Sequence, residues 1–148
     1  MRKSIILLSI IFFLSQCGFT PIYLNNKNLN FSIEQVGYTG DRELNNFLKI
    51  NLDQYKNEKF DNKIYIEANS IYKKIILSKD KAGDVTNYQL EAEVIFLIKP
   101  SNKKINITEK KIMSSMDDKF EEARYERSVK QSFASFIVQK LSSELTIN

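Results

Sequence analysis

The spacing of hydrophobic residues changes three times along this chain, and the order of those changes constrains the fold more than any other feature. Apolar residues alternate in 28–37, follow a helical period in 38–57, alternate again between 61 and 115, and return to the helical period from Met116 to Leu145. Alternation is typical of a half-buried strand, and a period of about 3.6 residues is typical of an amphipathic helix. The predicted order is therefore strand, helix, three strands, helix. The economical assembly is an α+β two-layer sandwich, in which a four-stranded, mostly antiparallel or mixed sheet carries both helices on one face.

The predicted strands differ in how clearly they alternate. The clearest is TNYQLEAEVIFLIKP, 86–100, whose inward side is Tyr88, Leu90, Ala92, Val94, Phe96 and Ile98. Because Ile95 and Leu97 make its second half apolar on both faces, we expect this strand in the interior of the sheet. Gly83 marks the turn before it, and Pro100 ends it.

The strands on either side of that segment are less regular. In 28–37 the apolar side is Leu29, Phe31 and Ile33. In 61–79, Ile64, Ile66 and Ala68 alternate until the phase slips near Asn69 or Ser70. An extra residue in one strand produces such a slip, so we predict a β-bulge there.

Each helical segment shows one apolar stripe. The first stripe is Leu44, Phe47, Leu48, Leu52 and Tyr55. The second is Phe120, Ala123, Val129, Phe133, Phe136, Ile137, Leu141 and Leu145. Thr39 or Asp41 is expected to cap the first helix. Acidic pairs at 117–118 and 121–122 are expected to form a solvated first turn, because neighbouring residues on a helix do not face each other. The predicted core includes Phe31, Leu48, Leu90, Phe96, Phe133 and Leu141.

The first 30 residues have the organisation of an export signal and a tether. A cationic start, Met1-Arg2-Lys3, precedes eleven residues without a charge, SIILLSIIFFL, and Leu-Ser-Gln-Cys ends at Cys17. An uncharged run of this length suits a signal peptide and is short for a membrane anchor. Leu14 to Cys17 resembles the lipobox of bacterial lipoproteins, although Gln16 stands where a small residue is usual. We predict a signal peptide at 1–16, a lipid on Cys17, a lipid-anchored tether at 17–30 and one domain at 31–148.

Composition argues against several classes of function. The single cysteine of the 148-residue chain permits no internal disulfide, and the chain has no histidine, so imidazole and multi-thiol metal sites are absent. Without Arg2 and Lys3 the chain carries 20 basic and 18 acidic residues, a net charge of +2 that predicts no nucleic-acid partner. Four glycines and no phosphate-binding loop argue against nucleotide chemistry. We therefore expect no catalytic residues, no metal and no cofactor.

The order of these parts resembles LptE, the lipopolysaccharide (LPS) assembly lipoprotein of the outer membrane, in a form like that of alphaproteobacteria. The residues that carry the resemblance are Cys17, Gly18, Phe19, Pro21, Tyr23, Gly40, Arg42, Leu44, Leu48, Thr86, Tyr88 and Leu90. The resemblance implies two helices on a four-stranded sheet and a non-enzymatic role. It implies that the protein plugs an LptD-like outer-membrane β-barrel, helps that barrel assemble and contacts LPS. Gly18, rather than Asp, after the cysteine implies the outer membrane, with the domain on the periplasmic side and the acyl chains, palmitate among them, as the anchor.

An LPS ligand would carry anionic phosphates, so basic residues are the candidate contacts. Two groups stand out, Lys73-Lys74 within a predicted strand and Lys99, Lys103 and Lys104 around Pro100. We predict that these five lysines bind LPS. Lysines at turns and sheet edges also keep proteins soluble. Two other functions stay open: a generic periplasm-facing envelope lipoprotein with a scaffolding role and no LPS binding, and a small lipid carrier.

Overall fold

A computed structural model describes residues 31–56 and 62–146. The elements in order are β1 (Ser32–Gly40), α1 (Arg42–Asp53), β2 (Lys63–Lys79), β3 (Val85–Lys99), β4 (Lys103–Ser114) and α2 (Lys119–Thr146). The four strands form one sheet in the order β1-β2-β3-β4, with β1 parallel to β2 and the other pairs antiparallel. The predicted α+β fold with a mixed four-stranded sheet is therefore confirmed. Cys17, Leu29 and the predicted signal and tether lie outside the described residues.

The core lies between the two helices and one face of the sheet. All six residues predicted for it are buried. Leu90, Val94 and Phe96 on β3 are fully buried, and β3 lies between β2 and β4, as its two apolar faces predicted. The opposite face of the sheet is covered by neither helix. That face presents the odd-numbered side chains of β2 up to Ile75 and of β3, and the even-numbered side chains of β4.

A tight connection joins β1 to α1. Gly40 has a φ of 94°, and a Cβ atom there would lie 1.8 Å from the carbonyl oxygen of Ser70. The carboxylate of Asp41 then accepts a hydrogen bond from the Leu44 N–H at 2.7 Å and caps α1. Of the two predicted caps, Asp41 is the one used, whereas the Thr39 hydroxyl donates to the carbonyl of Ala68.

The predicted bulge at Asn69 or Ser70 is wrong. The register of β2 with β3 is continuous from Tyr65 to Ile76, and the irregularity lies further on, around Ser78. Ser70 is buried on the inner face, where its hydroxyl lies 3.3 Å from the carbonyls of Thr39 and Asp41. A polar residue on the core side breaks the alternation of apolar residues in the sequence and so suggests a bulge. Here the serine hydroxyl instead forms hydrogen bonds with the connection between β1 and α1.

Two parts of the apolar stripe predicted for α2 are exposed: its first turns and one position on its flank. Val129, Phe133, Ile137 and Leu141 are buried as predicted, together with Ala134 and Val138. By contrast, Phe120 is 70% exposed and Phe136 is 54% exposed, and Ala123 is exposed as well. The inward position in the first turns belongs to Glu122, because that side chain has charged and backbone partners beneath the helix.

Candidate interaction surfaces

The five lysines predicted to bind LPS do not form one cluster. Lys73 and Lys99 belong to neighbouring strands, and Lys73 pairs in register with Glu91, which is eight residues from Lys99 along β3. At roughly 3.3 Å per residue this separates the two lysines by about 26 Å. Lys103 and Lys104 lie at the Lys99 end of the sheet. The structure therefore places the first group near the middle of the sheet and the second group at the end that carries the β3–β4 turn.

Lys73 and Lys74 also point to opposite faces, because successive side chains of a strand alternate. β2 continues through both residues, as the sequence predicted. Lys73 is exposed on the open face of the sheet. The ammonium of Lys74 lies under α2, 3.0 Å from a carboxylate oxygen of Glu122 and 3.0 Å from one of Glu126. It also lies 4.3 Å from the centre of the Tyr88 ring, so it is engaged within the domain.

The lysines around the turn between β3 and β4 have varied partners. Lys99 forms an ion pair with Glu67 across the open face. Lys103 donates to the backbone carbonyl of Glu144 at 3.4 Å and so ties β4 to the end of α2. Lys104 is exposed and has no ion pair within the described ranges. Of these three lysines, Lys104 is the most available to a ligand.

Glu122 is the centre of a buried polar cluster at the start of α2. It is 5% exposed, so the prediction of a solvated pair at 121–122 is wrong for this residue. One of its oxygens accepts from the Met116 N–H at 2.9 Å and from Lys119 at 3.1 Å, and the other accepts from Lys74 at 3.0 Å. The Met116 hydrogen bond is the largest cause that lowers the pKa of Glu122 to about 2, and the two ammonium groups lower it further against the effect of burial. The carboxylate is therefore ionised and saturated with donors, which suits a structural anchor.

Glu126, one turn later, extends this cluster to β2. It accepts from the Tyr72 hydroxyl at 2.9 Å and from Lys74 at 3.0 Å. Burial and the hydrogen bond to Glu126 raise the pKa of Tyr72. Partial burial alone would lower the pKa of Lys74, but its hydrogen bonds to both carboxylates outweigh burial and raise it. Together these contacts hold the first turns of α2 against β2.

The part of the open face that runs from its middle toward the β2–β3 turn combines apolar and cationic side chains, and we name it the distal patch: Ile71, Lys73, Ile75, Lys110 and Ile112. Its three isoleucines are 39%, 40% and 66% exposed in that order. The register places Lys73 opposite Glu91 and Glu91 opposite Lys110, and places Ile75 and Ile112 on either side of Gln89.

The row formed by Lys73, Glu91 and Lys110 carries two ammonium groups and one carboxylate, and a second carboxylate, Glu93, lies opposite Ile71. The Lys110 ammonium lies 2.9 Å from Glu91. That hydrogen bond is the largest cause lowering the pKa of Glu91, and Lys73 adds to the effect. Two lysines thus share one carboxylate beside exposed apolar side chains. Sequence reasoning missed Lys110 and Ile112, although the alternation of KINITEKKIMSS places both on the outward side with Lys104.

Within 31–56 and 62–146, no three His, Cys, Asp or Glu side chains are placed to hold a metal ion. Neither α1 nor α2 has the length and hydrophobicity that crossing a bilayer requires.

Comparisons with known proteins place this fold among bacterial lipoproteins. No protein-family model and no curated protein matches the sequence. Rare lipoprotein B from Shewanella oneidensis superposes with a TM-score of 0.52 at 16% identity, over 75% of this chain and 96% of that one. A minor lipoprotein from Acinetobacter baumannii superposes with a TM-score of 0.51 at 14% sequence identity, over 74% of this chain and 93% of that one. Lipoprotein B from Nitrosomonas europaea superposes with a TM-score of 0.52 at 17% sequence identity, over 78% of this chain and 84% of that one.

The chain has the fold of these lipoproteins. Because the described part begins at residue 31 and the match covers nearly all of the Shewanella and Acinetobacter chains, the shared unit is the whole two-layer domain. The low identity means that the likeness concerns architecture and carries no side chain from one protein to another.

Proposed function

We propose that this protein is an envelope lipoprotein of the LptE type, anchored in the outer membrane through a lipid on Cys17 and facing the periplasm. The observation that carries the proposal is the pairing of two features. A single cysteine ends a segment with the pattern of an export signal, and the domain that follows has a fold found in bacterial lipoproteins over most of their length.

We propose further that the domain plugs an LptD-like β-barrel and assists its assembly. A domain inside a polar lumen needs a self-contained core and a hydrophilic exterior. The core is self-contained, because one apolar cluster joins all four strands and both helices. The 27% of charged residues supports a largely polar exterior, with exposed isoleucines at the distal patch. Ion pairs such as Lys99–Glu67 and Arg124–Glu121 lie at the surface and balance much of that charge.

The distal patch is the surface we propose for LPS. An anionic amphiphile presents phosphates next to acyl chains, and the patch presents Lys73 and Lys110 next to Ile75 and Ile112. A basic residue near an anionic lipid surface contributes about 1 kcal/mol to the free energy of binding. In the second group, Lys99 and Lys103 already make contacts within the domain. The exposed apolar side chain opposite Lys99 is Tyr65, which is 44% exposed, rather than isoleucines.

The barrel role and the LPS role need separate experiments. For the first, the full-length chain carrying a C-terminal tag is purified in detergent from its own membranes. A stoichiometric β-barrel partner is expected, and its absence would favour a scaffolding lipoprotein without a transport role.

For the second, LPS binding is measured at low and moderate salt on two variant chains. Lys73→Gln with Lys110→Gln should weaken binding, whereas Lys99→Glu with Lys103→Glu and Lys104→Glu should leave it largely intact. The reverse result would move the site to the β3–β4 turn, and LPS binding that survives in both variants would exclude both lysine groups as the site. No LPS binding by the native chain would remove LPS from the proposal and leave the barrel role standing.

A further inference from the structure

A groove runs between β4 and the C-terminal half of α2. Its volume is about 450 Å³, and it is lined by residues 105–108 of β4 and by Gln139, Lys140, Ser143 and Glu144 of α2. Within the described ranges β4 is the last strand of the sheet and pairs only with β3. An antiparallel edge strand turns alternate backbone N–H and C=O groups outward. The groove therefore combines an open strand edge with a helix wall, the arrangement that accepts an added strand.

The helix wall carries an exposed aromatic ring. Phe136 stands three, four and seven residues before Gln139, Lys140 and Ser143, and this spacing places it on the same side of α2. That side leans over β4, because Lys140 forms an ion pair with Glu109. Phe136 is 54% exposed, whereas Phe133 on the core side is 4% exposed. Phe136 lies outside the lining, one helical turn before Lys140, where a bound segment that extends past residues 105–108 toward the end of β4 would reach its ring.

The charge of β4 indicates which occupant fits. The strand carries four lysines and one glutamate in KKINITEKKIMS. A second copy pairing antiparallel about Ile107 would set Lys103 opposite Lys111 and Lys104 opposite Lys110, and like charges directly opposite each other are destabilising. Self-pairing in this register is therefore disfavoured. An extended segment with carboxylates at alternate positions would instead meet Lys104, which has no ion pair within the described ranges.

We infer that this groove binds an extended, acidic segment of a partner protein as a fifth strand beside β4. Backbone hydrogen bonds to residues 105–108 supply the pairing. Alternate side chains of the segment then point to the two faces, with apolar ones beside Phe136 on the helix side and carboxylates beside Lys104 on the open side. The inference uses neither the anchor nor the distal patch, so it stands apart from the proposed function.

The test uses synthetic peptides and the full-length chain in detergent micelles. Three fluorescent peptides are used, each of about nine residues, which is the upper range of an ordinary strand. The first alternates Glu with Val, and the second alternates Lys with Val. The third repeats the Glu/Val pattern but carries two central prolines, which remove backbone hydrogen-bond donors. The Glu/Val peptide is expected to bind and to protect amides within 104–108 from hydrogen exchange. The other two should bind at least about tenfold more weakly, because they lose either the charge or the main-chain pairing.

Variants locate the site. Phe136→Ala should weaken binding of the Glu/Val peptide about tenfold, and the matched control Phe120→Ala, on the same helix, should not. Lys104→Glu should reverse the preference toward the Lys/Val peptide. Three outcomes would overturn the inference: no binding of the Glu/Val peptide at millimolar concentration, binding that is unchanged in Phe136→Ala, or a concentration-dependent dimer that protects 104–108 without any peptide.

Discussion

Replacing Glu122 with glutamine tests whether the buried carboxylate anchors α2 to the rest of the domain. Glutamine has nearly the same size, so the change removes the charge and leaves no cavity. Its amide oxygen can still accept from the Met116 N–H, which is 2.9 Å away in the native protein. Lys74 would keep its second partner, Glu126, at 3.0 Å. The variant therefore isolates what ionisation contributes.

The magnitude follows from the lowered pKa. The pKa of Glu122 falls from 4.5 to about 2. Since each pKa unit corresponds to about 1.36 kcal/mol, ionisation contributes at most about 3 kcal/mol to the free energy of unfolding. Neutral hydrogen bonds that persist in the variant offset part of this loss, so we expect a deficit of about 2 kcal/mol at pH 7. For a domain of this size that lowers the Tm by about 6–10 °C.

The pH dependence gives the sharper readout. A carboxylate whose pKa is lowered by folding stabilises the protein above its unfolded pKa, and that contribution is lost as the pH falls through the folded pKa. Here the window runs from about 4.5 down to about 2. The deficit of Glu122→Gln relative to the native chain should therefore be full at pH 7 and pH 5 and should shrink progressively below pH 4.5.

The assay is urea unfolding followed by circular dichroism, at several values from pH 7 to the lowest pH at which both chains stay folded. Glu121→Gln is the matched control, because Glu121 is adjacent, half exposed and paired only with the exposed Arg124. Such surface pairs contribute about 0–1 kcal/mol. A Glu122→Gln chain as stable as the native one at pH 7, or a deficit that stays constant below pH 4.5, would refute the reasoning.

Three further outcomes are expected. Phe133→Ala should lower the free energy of unfolding by about 3–5 kcal/mol because its ring is buried, whereas Phe120→Ala should change it by less than about 0.5 kcal/mol; equal effects in chemical denaturation would contradict the assigned face of α2. Gly40→Ala should be far more destabilising than Gly83→Ala, since both have a φ of 94° but only Gly40 lies against backbone; thermal melting compares the two directly. Cys17→Ala should move the protein from the membrane to the soluble fraction with an unchanged Tm, and intact mass of the native chain should show a lipidated cysteine.

Local features of the fold were predictable because they depend on spacing along the chain. Alternation and helical period identified all six elements in order, since each element must bury one side whatever its neighbours are. The side chain of Asp41 caps α1 three residues before Leu44, a purely local interaction. Leu48 and Leu90 were assigned to the core on the same grounds, and both are buried.

The features decided only by tertiary structure are those in which a polar residue finds its partner far along the chain. The hydroxyl of the buried Ser70 donates to carbonyls 29 and 31 residues away. Glu122 adds Lys74, 48 residues away, to its nearby donors Met116 and Lys119. Because hydrophobicity along the chain does not reveal those partners, it predicts a bulge at Ser70 and a solvated turn at Glu122. The candidate surfaces follow the same rule: sequence proximity grouped Lys73 with Lys74, but pleating sends them to opposite faces, and register brings Lys73 together with Lys110 across β3. Burial of a charge depends on a partner in space, which the period of a sequence does not encode.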